Sequence, residues 1–190
     1  MANFIFNHAK RLIMSQSAGS TAPAQYLDLE TNSSGQILTT TADYLRCLLV
    51  TEQLTLATHG DFANMDLLEA HAGFTERAAS GGYTASGGAA GQIKSATWAL
   101  AGTGATAFAY LKADDIAWGA INADTTNTIA GCVVWYGDAN ASDPTDTNDI
   151  PVAYLDFTAA PDGSNLTMQW GAATGATTSG AQGVVLRLNG

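Results

Sequence analysis

The chain has 190 residues, of which 46% are hydrophobic and 13% charged, and its formal net charge is −10. This length suits one domain, and the hydrophobic share argues against a disordered chain. The 7 basic residues are scattered, with Lys10 and Arg11 as the one adjacent pair, so neither nucleic acid nor an anionic membrane surface is an expected partner. No apolar run approaches the roughly 18 residues that a membrane-spanning helix needs.

The first residues place three large apolar side chains, Phe4, Ile5 and Phe6, in a short polar segment. The segment lacks the apolar stretch and the cleavage site of a secretion signal, so we expect folding in a reducing cytoplasm. Two interpretations of the triplet stay open. It anchors the chain to a partner, or it forms an edge strand of its own domain.

A short helix is predicted over 7–14, with Asn7 as its N-cap. The segment that follows is rich in Ser, Thr, Gly and Ala, which indicates an extended stretch with one edge strand at 25–30. The chain therefore divides into an N-terminal arm and extended segment at 1–42 and a single β domain at 43–190.

The β domain is predicted from short apolar or alternating runs separated by turn residues. These strands are expected at 44–51, 98–100, 106–111, 116–118, 129–136, 152–157, 166–170 and 184–188. One further short helix is expected at 64–72, between the N-cap Asn64 and Gly73, and the Gly-rich residues 79–91 predict a flexible loop. The pattern favours an all-β fold, an antiparallel β-sandwich or barrel, with a jelly roll as one form of it.

Motifs for chemistry are absent from the sequence, which has no nucleophile elbow, phosphate loop, dinucleotide fingerprint or Cys-x-x-Cys pair. His8, His59 and His71 lack ligand spacing and are interpreted as surface or capping residues. We therefore predict a protein that is not an enzyme, with no catalytic residue, no metal site and no cofactor. The acidic stretch 138–149 leaves two interpretations open, a solvated inter-strand loop or an ion site.

Several side chains carry individual predictions. Cys47 and Cys132 lie inside strand-like runs, so both are expected to be buried free thiols. Asp156 is expected at an exposed face or hydrogen-bonded to a neighbouring loop. Of the tryptophans, Trp135 is expected in the core, whereas Trp118 lies beside a turn and is expected to be exposed.

Four parts of the chain occur in a distinctive order: the arm, an apolar strand, an aromatic–acidic segment, and two late strands. In this sequence they are Met1–Lys10, Tyr44–Thr51, Phe108–Trp118, and the pair Pro151–Phe157 and Leu166–Trp170. That order resembles a group of small virion structural proteins of tailed bacteriophages. The resemblance implies a component of the phage particle without enzymatic activity.

Within that group, the residues favour a capsid decoration (cement) protein. Such a protein is made in the host bacterial cytoplasm and binds the major capsid protein on the capsid exterior. An acidic surface suits a shell exterior away from DNA. Phe4, Ile5, Phe6 and Trp118 are the predicted partner contacts, and self-association is expected, with a trimer matching the three-fold positions of a shell. The alternatives are a tail or other virion component, or a host-surface or carbohydrate-binding module on the particle.

Overall fold

The computed structural model describes residues 3–15, 44–88, 90–93, 97–101, 108–124, 127–137, 149–169 and 182–189. The strands are β1 (Phe4–Ile5), β2 (Tyr44–Val50), β3 (Thr97–Ala101), β4 (Phe108–Asp114), β5 (Ile116–Ala120), β6 (Ile129–Gly137), β7 (Ile150–Ala159), β8 (Asn165–Met168) and β9 (Gln182–Asn189). The helices are α1 (Asn7–Ser15), α2 (Leu56–His59), α3 (Met65–Glu69) and a 3-10 helix at Ala85–Gly87. Among these described helices, none has the length and apolarity that crossing a membrane requires.

All strand pairs in the described regions are antiparallel. They form a four-stranded sheet in the order β1-β7-β6-β2, a three-stranded sheet β3-β4-β9 and a two-stranded sheet β5-β8. This confirms the predicted all-β class. The barrel alternative does not hold for the described strands, because these sheets do not close on one another.

The core centres on the four-stranded sheet, whose inner strand β6 is buried at all but one of its nine positions. Leu48 and Leu49 of β2 are neighbours in sequence, so they point to opposite faces of the sheet, and both are fully buried. Both faces of this sheet are therefore covered by other parts of the chain. This explains why β2 and β6 have continuous apolar runs rather than an alternation of apolar and polar residues.

Two of the short helices, α2 and α3, begin after side-chain caps. Asn64 accepts a hydrogen bond from the Leu67 amide at 2.9 Å, which confirms its predicted role, but α3 ends at Glu69 rather than reaching 72. Helix α1 is confirmed within one residue. Helix α2 was not predicted from the sequence, and it begins at Thr55, whose side chain accepts from the Thr58 amide at 3.4 Å.

The Gly-rich segment predicted as a flexible loop is instead packed along the outer edge of β2. The Cys47 amide donates to the Gly91 carbonyl at 2.8 Å, and the Ile93 amide donates to the Leu45 carbonyl at 2.9 Å. Farther along β2, the Arg77 amide donates to the Leu49 carbonyl at 2.8 Å. These bonds satisfy the backbone groups that an edge strand would otherwise expose.

Candidate functional site

The N-terminal segment is part of the four-stranded sheet. Phe4 pairs with Tyr154 and Ile5 with Ala153 across β1 and β7, and the Phe6 amide donates to the Val152 carbonyl at 3.1 Å. The sequence left two interpretations of the apolar triplet open, a partner anchor or an edge strand of its own domain. In the structure the triplet contributes an edge strand. The described part of the predicted arm therefore belongs to the β domain, whereas residues 16–43, including the strand expected at 25–30, lie outside the described residues.

Aromatic contacts hold this segment against β7. The ring centroid of Phe4 lies 5.1 Å from that of Phe6 and 5.4 Å from that of Tyr154. Phe6 is fully buried, and Phe4 is 8% exposed. The Tyr154 hydroxyl donates to the Ala130 carbonyl at 2.9 Å, and burial raises the pKa of Tyr154 to about 12. Such rings gain both from area burial and from their edge-to-face geometry.

Trp118 is buried, so its predicted exposure is wrong. In β5 the side chains alternate, with Ile116 and Trp118 buried and Ala117 and Gly119 exposed. The Trp118 ring lies 6.5 Å from the ring of Tyr83. The period-two alternation of a strand predicts a buried Trp118, on the same face as Ile116. The position of Trp118 beside a turn does not predict its exposure. Trp135 is buried, as predicted.

The four residues predicted to contact a partner do not form one surface. Phe4, Phe6 and Trp118 lie in the hydrophobic core of the chain itself, and Ile5 is partly buried against that core. Within a folded protomer these three side chains are covered, so a contact with a partner would have to use the surface around them. The role of Phe4 and Phe6 as anchors stays a prediction that needs an opened N-terminal segment. The role of Trp118, which lies in β5, also stays a prediction.

A polar network missed by the sequence analysis lies beneath the Gly-rich segment. The Tyr83 hydroxyl donates to Glu76 Oε1 at 2.7 Å and accepts from the Leu49 amide at 3.0 Å. The Ser86 amide donates to the same carboxylate oxygen. Burial, with the adjacent Glu76 carboxylate, raises the pKa of Tyr83. The lone aromatic residue in a Gly-rich stretch was the available signal for this anchor.

Two histidines that are distant in sequence meet in the fold. The rings of His59 and His71 lie 5.0 Å apart, edge to face, and both lie near Phe62. His59 is 4% exposed, so it is not a surface residue. Its Nδ1 accepts from the amide of Thr55, the N-cap of α2, at 3.1 Å, which agrees with the capping alternative. Desolvation lowers the pKa of His59, and the neighbouring His71 lowers it further. The lowered pKa favours a neutral His59 imidazole, which is suited to packing rather than to proton transfer with solvent.

Three acidic side chains among the described residues lie in different surroundings. Asp156 accepts a hydrogen bond from Gln53 at 3.0 Å, which confirms its predicted bond to a neighbouring loop. Asp149 is fully buried, so it does not belong to a solvated loop, and residues 138–148 lie outside the described residues. Arg77, only 4% exposed, forms an ion pair with Asp124 at 3.2 Å.

Both cysteines are buried and free, as predicted. Cys132 Sγ lies 3.5 Å from Met168 Sδ of β8. Burial, with the Cys132 thiol beside it, raises the pKa of Cys47 well above its usual range. Within the described regions, no group of three or more His, Cys, Asp and Glu side chains is arranged to hold a metal ion.

A small open cavity of about 120 Å³ lies beside the β7–β8 turn. Its apolar side includes Ile121, Ile129 and Leu166, and its polar side includes Asp162 and Ser164. The Ser164 hydroxyl donates to Asp162 Oδ1 at 2.5 Å, and hydrogen bonds from Ser164 lower the pKa of the Asp162 carboxyl. The carboxylate is thus occupied by its own turn, so the cavity presents no convergent set of groups for catalysis.

Comparison with known proteins found no match: no family model, no curated protein and no solved structure matches this chain. The features that converge in the structure are the aromatic cluster at β1, the Tyr83–Glu76 network and the sulfur atoms in the core. Each joins distant segments of the chain through buried contacts. These contacts stabilise the β framework of the described residues.

Proposed function

We propose that this chain is a non-enzymatic structural protein of a tailed-bacteriophage particle, and that it acts as a decoration protein on the outer capsid surface. The observation that carries the proposal is where the segments that resemble such proteins lie in the fold. They contribute β1 with α1, then β2, β4 with β5, and β7 with β8. The resemblance therefore covers the strands that build the framework rather than isolated surface motifs.

We infer further that the sheets pack as a β-sandwich, with the β5-β8 sheet lying over one face of the four-stranded sheet. The 3.5 Å contact between Cys132 of β6 and Met168 of β8 supports this packing. Trp118 of β5 is buried as well. A compact sandwich whose β2 edge is covered by backbone hydrogen bonds can stay soluble at the high copy number that a shell component needs.

Charge supports the exterior location. The net charge of −10 is repelled by packaged DNA, and it keeps free copies soluble before they dock. Among the described side chains, the basic groups Lys10 and Arg11 on α1 lie at the surface or near it, whereas Arg77 is paired in the interior. We propose the major capsid protein as the partner, with copies grouped as trimers at three-fold positions.

The test is direct binding to the shell. Capsids assembled without this chain are incubated with the purified full chain, sedimented, and imaged by cryo-electron microscopy. We expect saturable binding, density at symmetric exterior positions and a higher temperature of capsid disruption.

Absence of co-sedimentation would refute the proposal. Density on tails alone would favour the tail alternative, and isolated copies that do not touch would refute the trimer. Binding to host cells or glycans without binding to capsids would favour the carbohydrate-binding alternative.

A further inference from the structure

Three sulfur atoms from three strands converge in the core. In the β2–β6 register Cys47 lies opposite Val134, and Cys132 lies opposite Leu49. The two cysteines are therefore diagonal neighbours on one face of the four-stranded sheet. Their thiols share a hydrogen bond, and Met168 of β8 brings its Sδ to 3.5 Å from Cys132 Sγ.

The chemistry of this cluster is that of a soft-metal site. Thiolates and thioethers select soft ions such as Cu(I), whereas zinc completes a tetrahedral shell of four ligands. A metal–sulfur bond of about 2.3 Å places the sulfur atoms of a three-coordinate site roughly 4 Å apart. The 3.5 Å separation of Cys132 and Met168 sulfur atoms is close to that value, so a bound ion requires only a small widening of the cluster.

We propose that Cys47, Cys132 and Met168 form a binding site for a soft monovalent cation, with Cu(I) as the ion of choice. One Cu⁺ replaces the protons of both thiols, which gives a dithiolate complex of charge −1 and releases two protons to solvent. Met168 adds a neutral thioether, and no atom changes its oxidation state. The site is independent of the proposed role in a phage particle.

The burial of the two cysteines and the partial exposure of Met168 are consistent with a cation site that opens to solvent on one side. Both cysteines are fully buried, and burial raises the pKa of the Cys47 thiol, so Cys47 holds its proton until an ion displaces it. Met168 is only partly buried at the end of β8, so the thioether marks the side from which an ion enters. A bound ion would join β2, β6 and β8 through one centre, which links the two-stranded sheet to the four-stranded sheet.

The test uses the reduced full chain and Cu(I) held at a defined free concentration by a chromogenic chelator. We expect one ion per chain by native mass spectrometry, and an increase in melting temperature on loading. Because two protons leave, the apparent affinity should rise about a hundredfold for each unit increase in pH below the thiol pKa values. Ag(I), which has no redox chemistry under these conditions, should bind with the same stoichiometry.

Variants separate this site from adventitious binding by thiols. Cys47→Ala should abolish the high-affinity site, and Met168→Leu, which conserves volume, should lower the affinity at least tenfold with an unchanged near-ultraviolet spectrum. The proposal is overturned if Met168→Leu binds Cu(I) as tightly as the unaltered chain. It is also overturned if the urea-unfolded chain binds Cu(I) as tightly as the folded one.

Discussion

Replacement of Phe6 by alanine is the sharpest test of whether the N-terminal segment belongs to the core. The Phe6 side chain is fully buried and lies edge to face with Phe4 at 5.1 Å. Truncating a buried phenylalanine to alanine costs about 3–5 kcal/mol, including the cavity that it leaves. Part of that loss is the aromatic pair, which contributes about 0.5–1.5 kcal/mol beyond its buried area. A domain of ordinary stability has only about 5–15 kcal/mol in total.

Urea unfolding followed by tryptophan fluorescence measures this loss, since Trp118 and Trp135 are buried and report on the core. Ile5→Ala is the matched control, because Ile5 is the neighbouring residue, at the end of β1, but is only partly buried. We expect its cost to be less than half that of Phe6→Ala. Deleting residues 1–6 should destabilise the chain at least as much as Phe6→Ala. A truncated chain that unfolds within about 0.5 kcal/mol of the full chain, the usual scatter of neutral surface changes, would refute this reasoning.

Three further predictions concern the pH response, the Tyr83 network and the Gly-rich edge. The pKa of His59 is lowered in the folded state, so the contribution of His59 to stability should be fully present above about pH 6.5, the pKa of an unfolded histidine, and should decline as the pH falls below that value. Urea unfolding midpoints between pH 8 and pH 5 would measure this decline. In His59→Gln the midpoint should depend less on pH. Tyr83→Phe removes one of the two donors to Glu76 Oε1 and the acceptor of the buried Leu49 amide. It should cost about 1–3 kcal/mol, so an unchanged melting temperature would contradict the network. Gly87→Ala should destabilise strongly, because φ is +76° and a methyl group would collide with a β2 carbonyl oxygen. Gly163→Ala, with φ of +89° and open space around it, should cost only the backbone strain of about 1 kcal/mol.

Local patterns predicted the elements of this fold well. The cap at Asn64 and the alternation in β5 and in β8 depend on residues close in sequence, and the structure has both features. Continuous apolar runs likewise located β2 and β6. Such signals are local because caps and side-chain alternation are set within one turn or one strand.

What the sequence did not predict depends on contacts between distant segments. Tyr83 is fixed by Glu76 and by a backbone amide 34 residues away, and His59 meets His71 only after α2 and α3 have packed. Composition alone predicted a flexible loop around Tyr83, and surface or capping positions for His59 and His71. The burial of Phe6 was left undecided for the same reason, since an apolar triplet gives no information on which surface covers it.

The bonds that cover β2 limit how copies of this protein can join through their sheets. One side of the four-stranded sheet is closed by backbone bonds from Arg77, Gly91 and Ile93, and the other ends at β1, which is two residues long. Fibre growth by strand addition needs two open edges per molecule, one for each neighbour. Among the described strands of this sheet, only the β1 edge can pair with a second copy of the protein. Strand pairing through this sheet would therefore stop at a dimer, even at high protein concentration.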